Sequence, residues 1–146
     1  GWVAEHYWLD IGSPAKYRQG ALDLLAGRVA TPLSPAGAQG GGRFVAPGAV
    51  LEPGARVTSP AVIGADCRVA AGAAVGPSTV LGTGCVVGGD AAVTGAILWE
   101  RVEVGAGAEL RDCIVGAGAC VGAGARVGPG AVVEPGARIP SGARLP

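Results

Sequence analysis

The chain has 146 residues, room for roughly one domain, and its eleven basic residues balance eleven acidic ones to a net charge of zero. The later basic residues stand singly at Arg56, Arg68, Arg101, Arg111, Arg126, Arg138 and Arg144, which excludes the patches that bind nucleic acid or an anionic membrane surface. Residues 1–12 have no basic start followed by an apolar run, so a secretory signal is not expected and a cytoplasmic setting is.

Residues 1–44 form a compositionally separate region. They contain Trp2, Tyr7, Trp8, Tyr17 and Phe44, and only Trp99 among the aromatic residues lies beyond them. VAEHYWLDIG, residues 3–12, reads as a strand. Ser13-Pro14 places an N-cap before a proline at the first helical position, where a missing N–H costs nothing. A helix is therefore predicted from 14 to about 26, ended by Gly27, with Tyr17, Ala21, Leu24 and Leu25 at helical spacing. TPLSPAGAQGGGR, residues 31–43, reads as a linker, which divides the chain into 1–27, 28–44 and 45–146. One strand and one helix bury too little surface to fold alone, so they are expected to finish a domain whose body lies upstream. A start at Gly1 without Met points the same way.

From Val45 to Leu145 a Val, Ile or Leu returns about every sixth position, eighteen times. That period fits neither a helix nor a long alternating strand, but it suits an all-β solenoid in which each hexad is a short strand and a corner. The position three after the aliphatic is mostly Gly, or Asp at Asp66 and Asp90, residues that tolerate a left-handed turn. The next position is small, as at Ala49, Cys67, Ala73, Cys85 and Ala108, which suits a narrow interior. Two steps have five residues, Val93 to Leu98 and Leu110 to Val115, and they start seventeen residues apart. With three hexads per turn both fall at the same corner of successive coils. Six coils at about 4.8 Å each make a rod on the order of 25–30 Å long, stabilised mainly by its inward aliphatic residues.

Val69 to Gly89 carries no charge, yet six of its residues are Gly and the period continues through it, so it reads as coil and not as a membrane span. Cys67 and Cys85 occupy the same hexad position one coil apart; reduced core thiols and a disulfide are both open for them. Cys113 is expected to point inward, and Cys120 to be the most exposed. Trp99 follows Leu98 and should point outward; with Glu100 and Arg101 it marks either an interface or local packing over the short corner.

YWLDIGSPAKYRQGALDLLAG, residues 7–27, resembles the closing segment of the nucleotidyltransferase domain of nucleoside-diphosphate-sugar pyrophosphorylases, usually WxDIGTPxxY, with Ser13 where Thr is more common. In that family a linker then leads into a left-handed parallel β-helix of hexapeptide repeats. The bacterial mannose-1-phosphate guanylyltransferase type is similar in its DIGSP run and in ILWERVEVGAGAELRDCIVGAGACVGAGARVG, residues 97–128. The resemblance implies a left-handed coil of about six turns after a strand-helix remnant of an α/β domain. It also implies a parent that joins a sugar 1-phosphate to a nucleoside triphosphate, giving a nucleotide sugar such as GDP-mannose and pyrophosphate, with a homo-oligomer built through the coil.

By the same resemblance Asp10 is one of two carboxylate ligands to a catalytic Mg²⁺, a hard ion suited to carboxylate and phosphate oxygens. The family's second acid, its glycine-rich GGxGTRL loop and its PKP lysine are not in this sequence, so the chain by itself is expected to be inactive. Asp10 also admits a reading as an acid capping the approach to the helix. His6, the only histidine, is more simply a packed residue than a ligand, and Lys16, the only lysine, a solvated one. Hexapeptide acyltransferases share such a coil, but they typically deprotonate the acceptor with a histidine between coils, and no His follows residue 6. A three-histidine zinc site of the β-helical carbonic anhydrase kind is excluded on the same count. A non-catalytic β-helical scaffold remains a third reading.

Overall fold

The computed structural model describes residues 7–29 and 42–146. Each hexad folds into two or three extended residues and a corner. In chain order the strands are β1 Arg43–Val45, β2 Val50–Leu51, β3 Arg56–Val57, β4 Ala61–Ile63, β5 Arg68–Val69, β6 Ala74–Val75, β7 Thr79–Leu81, β8 Val86–Val87, β9 Ala92–Thr94, β10 Ile97–Leu98, β11 Glu103–Val104, β12 Glu109–Arg111, β13 Ile114–Val115, β14 Cys120–Val121, β15 Arg126–Val127, β16 Val132–Val133, β17 Arg138–Ile139 and β18 Arg144–Leu145. Every third strand stacks in parallel on its predecessor, so the order β1-β4-β7-β10-β13-β16 makes one face, β2-β5-β8-β11-β14-β17 a second and β3-β6-β9-β12-β15-β18 a third. The result is a parallel β-solenoid of six three-sided coils.

Alternation along each strand sends the aliphatic residue inward and its predecessor outward. Ile63, Val69, Val75, Val87, Val93 and Leu110 are completely buried, and the small residues Cys67, Ala73, Cys85, Ala108, Ala119 and Ala125 fill the gaps between them. Backbone bonds run from coil to coil, as where the Arg68 N–H donates to the Cys85 carbonyl at 2.8 Å and the Ala70 N–H to Val87 at 2.9 Å. Val45, Leu51, Val57 and Leu145 are only partly buried, because an end coil has a neighbour on one side alone. Asp66 and Asp90 take φ of 56° and 58° at their corners, the conformation expected there of Gly or Asp; Arg101 takes 54° at an equivalent corner.

The helix, α1, runs Pro14–Leu25. Ser13 caps it, its hydroxyl accepting from the Lys16 N–H at 3.3 Å, and Gly27 leaves it at a φ of 73°. One expectation fails: residues 7–12 form no strand. An extended segment keeps that form only if a neighbour pairs with its backbone, and none of the described strands lies beside it. Residues 3–6 of the predicted strand, His6 included, lie outside the described residues, as does most of the linker. β1 begins at Arg43, so the first coil takes in the last two residues assigned to that linker. Among the described residues no helix is long and apolar enough to cross a membrane, and the uncharged run after Val69 is ordinary coil.

Candidate functional site

The two five-residue steps lie between β9 and β10 and between β12 and β13, one coil apart at the same edge. Their turn residues, Gly95 and Asp112, both have positive φ, 61° and 49°. The Asp112 N–H donates to the Thr94 carbonyl at 3.0 Å, which stacks one turn on the other. Helix α1 sits against this edge. Arg18 donates from Nε to the Gly95 carbonyl at 2.7 Å, and its Nη2 pairs with the Asp112 carboxylate. A Cβ at position 95 would meet the Asp112 carboxylate and the Arg18 guanidinium, and the left-handed φ of 61° there favours glycine in its own right. Trp99 points outward and meets Tyr17 of α1 edge to face, with ring centroids 6.4 Å apart at 72°. Trp99 keeps 41% of its surface exposed beside this contact, and Glu100 and Arg101 are exposed on the next corner.

The face that receives α1 has its own chemistry. In register down its outer side stand Phe44, Val62, Val80, Ile97, Ile114 and Val132, all apolar. The outward positions of the second face are mixed, as with Arg68, Val86 and Glu103, and those of the third are small or charged, as with Ala92, Glu109 and Arg126. Ile97 and Ile114 are 3% and 8% exposed, whereas Val132 is 50% exposed. Between the first turns of α1 and the later coils a groove of about 490 Å³ remains, with Pro14, Ala15, Gln19, Ile114 and Val132 among its walls. The sequence reading missed this stripe. Its signal was present, because the residue before the aliphatic is apolar in every third hexad.

The turn that carries Asp10 is exposed from Asp10 to Lys16. The helix cap is Ser13, so Asp10 does not cap α1. Among the described residues no three acids, cysteines or histidines are grouped to hold a metal. Asp10 therefore offers one carboxylate, and the described residues supply no complete metal site. The approach to the turn is anchored by Tyr7, whose hydroxyl donates to buried Asp23 at 2.6 Å; Gln19 and Arg28 donate to the same carboxylate at 2.8 and 3.0 Å. The bond from Tyr7 holds the Asp23 carboxyl below its ordinary value, with Gln19 and Arg28 adding to it against the opposing effect of burial. The same bond pushes the Tyr7 phenol above its own.

All four cysteines are free thiols, so the reduced reading of Cys67 and Cys85 describes the structure. Both are buried and donate to backbone carbonyls, Cys67 to Gly82 at 3.0 Å and Cys85 to Trp99 at 2.9 Å. The proximity of the two thiols draws Cys67 down and, together with burial, pushes Cys85 up. Burial pushes Cys113 up to about 12. Cys120 alone is partly exposed, beside Glu103 at 3.8 Å.

Six stacked three-sided coils built on hexads define a hexapeptide-repeat parallel β-helix. The chain belongs to the EIF2B subunit epsilon LbH domain family, a left-handed β-helix, whose model matches residues 41–145. Among solved structures it is similar to the acetyltransferase domain of PglB from Neisseria gonorrhoeae FA1090, at 27% identity over 67% of this chain and 49% of that one, with a TM-score of 0.62. The same domain in complex with acetyl coenzyme A is 29% identical over 66% and 53%, with a TM-score of 0.53. The chain thus spans about half the length of the solved structures it matches. No match was found among curated proteins.

Proposed function

We propose that this chain is the C-terminal part of a sugar-1-phosphate nucleotidyltransferase, in which the β-helix serves assembly or regulation and the segment before it closes the catalytic domain. The observation that carries the reading is the joining of two parts. A YWLDIGSPAKY segment, folded as an exposed acidic turn and a Ser13-capped helix, is seated on a left-handed β-helix by Arg18. The parent would convert a nucleoside triphosphate and a sugar 1-phosphate, GTP and mannose 1-phosphate by the closer resemblance, to a nucleotide sugar and pyrophosphate. Such transfers depend mainly on positioning and on charge stabilisation. Asp10 would hold Mg²⁺ together with an acid from the nucleotide-binding half, and the ion would offset phosphate charge. Ser13 and Tyr7 fix the two sides of that turn: one caps the helix that follows, and the other ties the approach to Asp23. The half-exposed Val50 and Val86 on the second face are consistent with a homo-oligomer formed through the coil.

A second reading, acyl transfer, is favoured by the acetyltransferase domains among the structural neighbours. The coil offers no histidine for it, and its core thiols are buried. Two assays separate the readings. The product of the whole open reading frame should release pyrophosphate from GTP and mannose 1-phosphate, and Asp10→Asn should lower that rate at least about a hundredfold; this chain alone should release none. Acetyl coenzyme A consumption without pyrophosphate release, or full activity of the Asp10→Asn enzyme, would reject the nucleotidyltransferase reading.

A further inference from the structure

We propose that the two shortened corners at Gly95 and Asp112 form a seat on the β-helix for an arginine-bearing helix of the preceding domain, and that Arg18 is the residue this seat recognises. The proposal does not depend on which reaction the parent performs. Five features meet in the same two coils. Both five-residue steps lie there, at one edge. Both turn residues bond the same guanidinium, Gly95 through its carbonyl and Asp112 through its carboxylate. The outward residues that follow, Ile97 and Ile114, are the buried members of the apolar stripe. Trp99, next on the chain, meets Tyr17, the neighbour of Arg18 on α1. A Cβ at position 95 would fill the space between the guanidinium and the carboxylate.

Coil packing alone needs neither the short steps nor the guanidinium, although a glycine facing an aspartate one coil on recurs without them at Gly48 with Asp66 and at Gly72 with Asp90. A full-length corner at this edge keeps its extra residue outside the core, as Pro77-Ser78 and Pro129-Gly130 do in the coils before and after. Removing one residue from each of two successive corners clears a notch where the helix approaches and leaves the Gly95 carbonyl for Arg18. A guanidinium suits the site because its fixed fork bonds two acceptors at once, which an ammonium on a flexible stem does not reproduce. The stripe beneath supplies apolar contact, and the polar anchor sets where along it the helix stops.

The test is amide hydrogen exchange, followed by mass spectrometry, on this chain. A free helix of 12 residues is marginal in water, so release from the seat should speed exchange across residues 17–25. Arg18→Gln and Asp112→Asn each remove one charged partner, and Asn tolerates the positive φ at 112. Arg18→Gln, which loses both bonds, should raise exchange there about tenfold or more, and Asp112→Asn, whose carboxylate is half exposed, about two- to fivefold, with β7, β10 and β13 unchanged. Arg18→Lys should not restore protection. A third variant, with one glycine inserted after Gly95 and another after Asp112, restores six-residue steps and should release the helix while Arg18 is intact. Unchanged protection in Arg18→Gln and Asp112→Asn would overturn the proposal. So would a helix that stays protected on the lengthened corners; should the insertions unfold the coil, the two substitutions decide alone.

Discussion

Placing a carboxylate on either side of one strand tests the inward and outward assignment and gives a pH signature. Val87 on β8 is completely buried, in register between Val69 and Val104. Val87→Asp loses about 1.5–3 kcal/mol of apolar burial and leaves an acid without a partner, roughly another 1–3 kcal/mol. The acid must also stay protonated in the fold. Its unfolded value is about 3.9, so at pH 7 holding the proton costs up to 1.36 times three units, about 4 kcal/mol. The sign is fixed: the folded value is raised, so the proton penalty is absent below pH ~3.9 and grows as pH rises towards the folded value. The sum is about 7–10 kcal/mol at pH 7 and about 3–6 at pH 4, against a typical total of 5–15. Val86, the residue before it, faces outward at 39% exposure between Arg68 and Glu103, one of each sign, and Val86→Asp should change stability by no more than ~0.5 kcal/mol. Urea denaturation followed by circular dichroism at pH 4 and pH 7 measures both, with the slope checked because a stack of repeats can open in parts. Equal costs at 86 and 87, or a Val87→Asp cost that does not grow with pH, would refute the register.

A disulfide reagent at pH 8 should titrate one thiol of the four rapidly in the native chain, Cys120, and the other three only on unfolding; disappearance of the rapid phase in a Cys120→Ser variant identifies it. Tyr7→Phe should loosen the segment before α1, raising its amide exchange several-fold. In the unsubstituted chain that tie should weaken as pH falls through the lowered Asp23 value, below about 4, and again as pH rises above the ordinary tyrosine value near 10, since a raised Tyr7 favours the neutral phenol. Arg101→Gly should stabilise the coil by up to ~1 kcal/mol, seen as a higher melting temperature, because a left-handed φ of 54° penalises any side chain with a Cβ; a lower one would show that the Arg101 stem, which lies over Gly84, contributes more than the strain removes.

The coil was legible because its information is periodic. Val69, Val87 and Val104 fall in one column, and each hexad repeats the requirement for a large inward residue, a left-handed corner and a small filler. Even the coincidence of the two short steps could be read, since one edge must take both deletions. The strand predicted over 3–12 had no such support, and its described part, residues 7–12, forms none. Extended residues become a strand only by pairing, and nothing in VAEHYWLDIG specifies a partner. The helix after it was readable because Ser13, Pro14 and Gly27 act within their own turns and need no partner.

The helix seat lay between these cases. Arg18 and Asp112 are 94 positions apart, and no local rule joins them, so the ion pair could not be read from either residue. The apolar stripe could have been: Val62, Val80, Ile97, Ile114 and Val132 each precede the inward aliphatic of every third hexad. On an outer face those positions face water unless something covers them, and the other two faces carry arginine and glutamate there. Three hexads per turn, combined with this contrast, are enough to imply one covered face. The same counting places both short steps on the edge that opens onto that face, so the partner of the coil is specified twice, once by hydrophobicity and once by chain length.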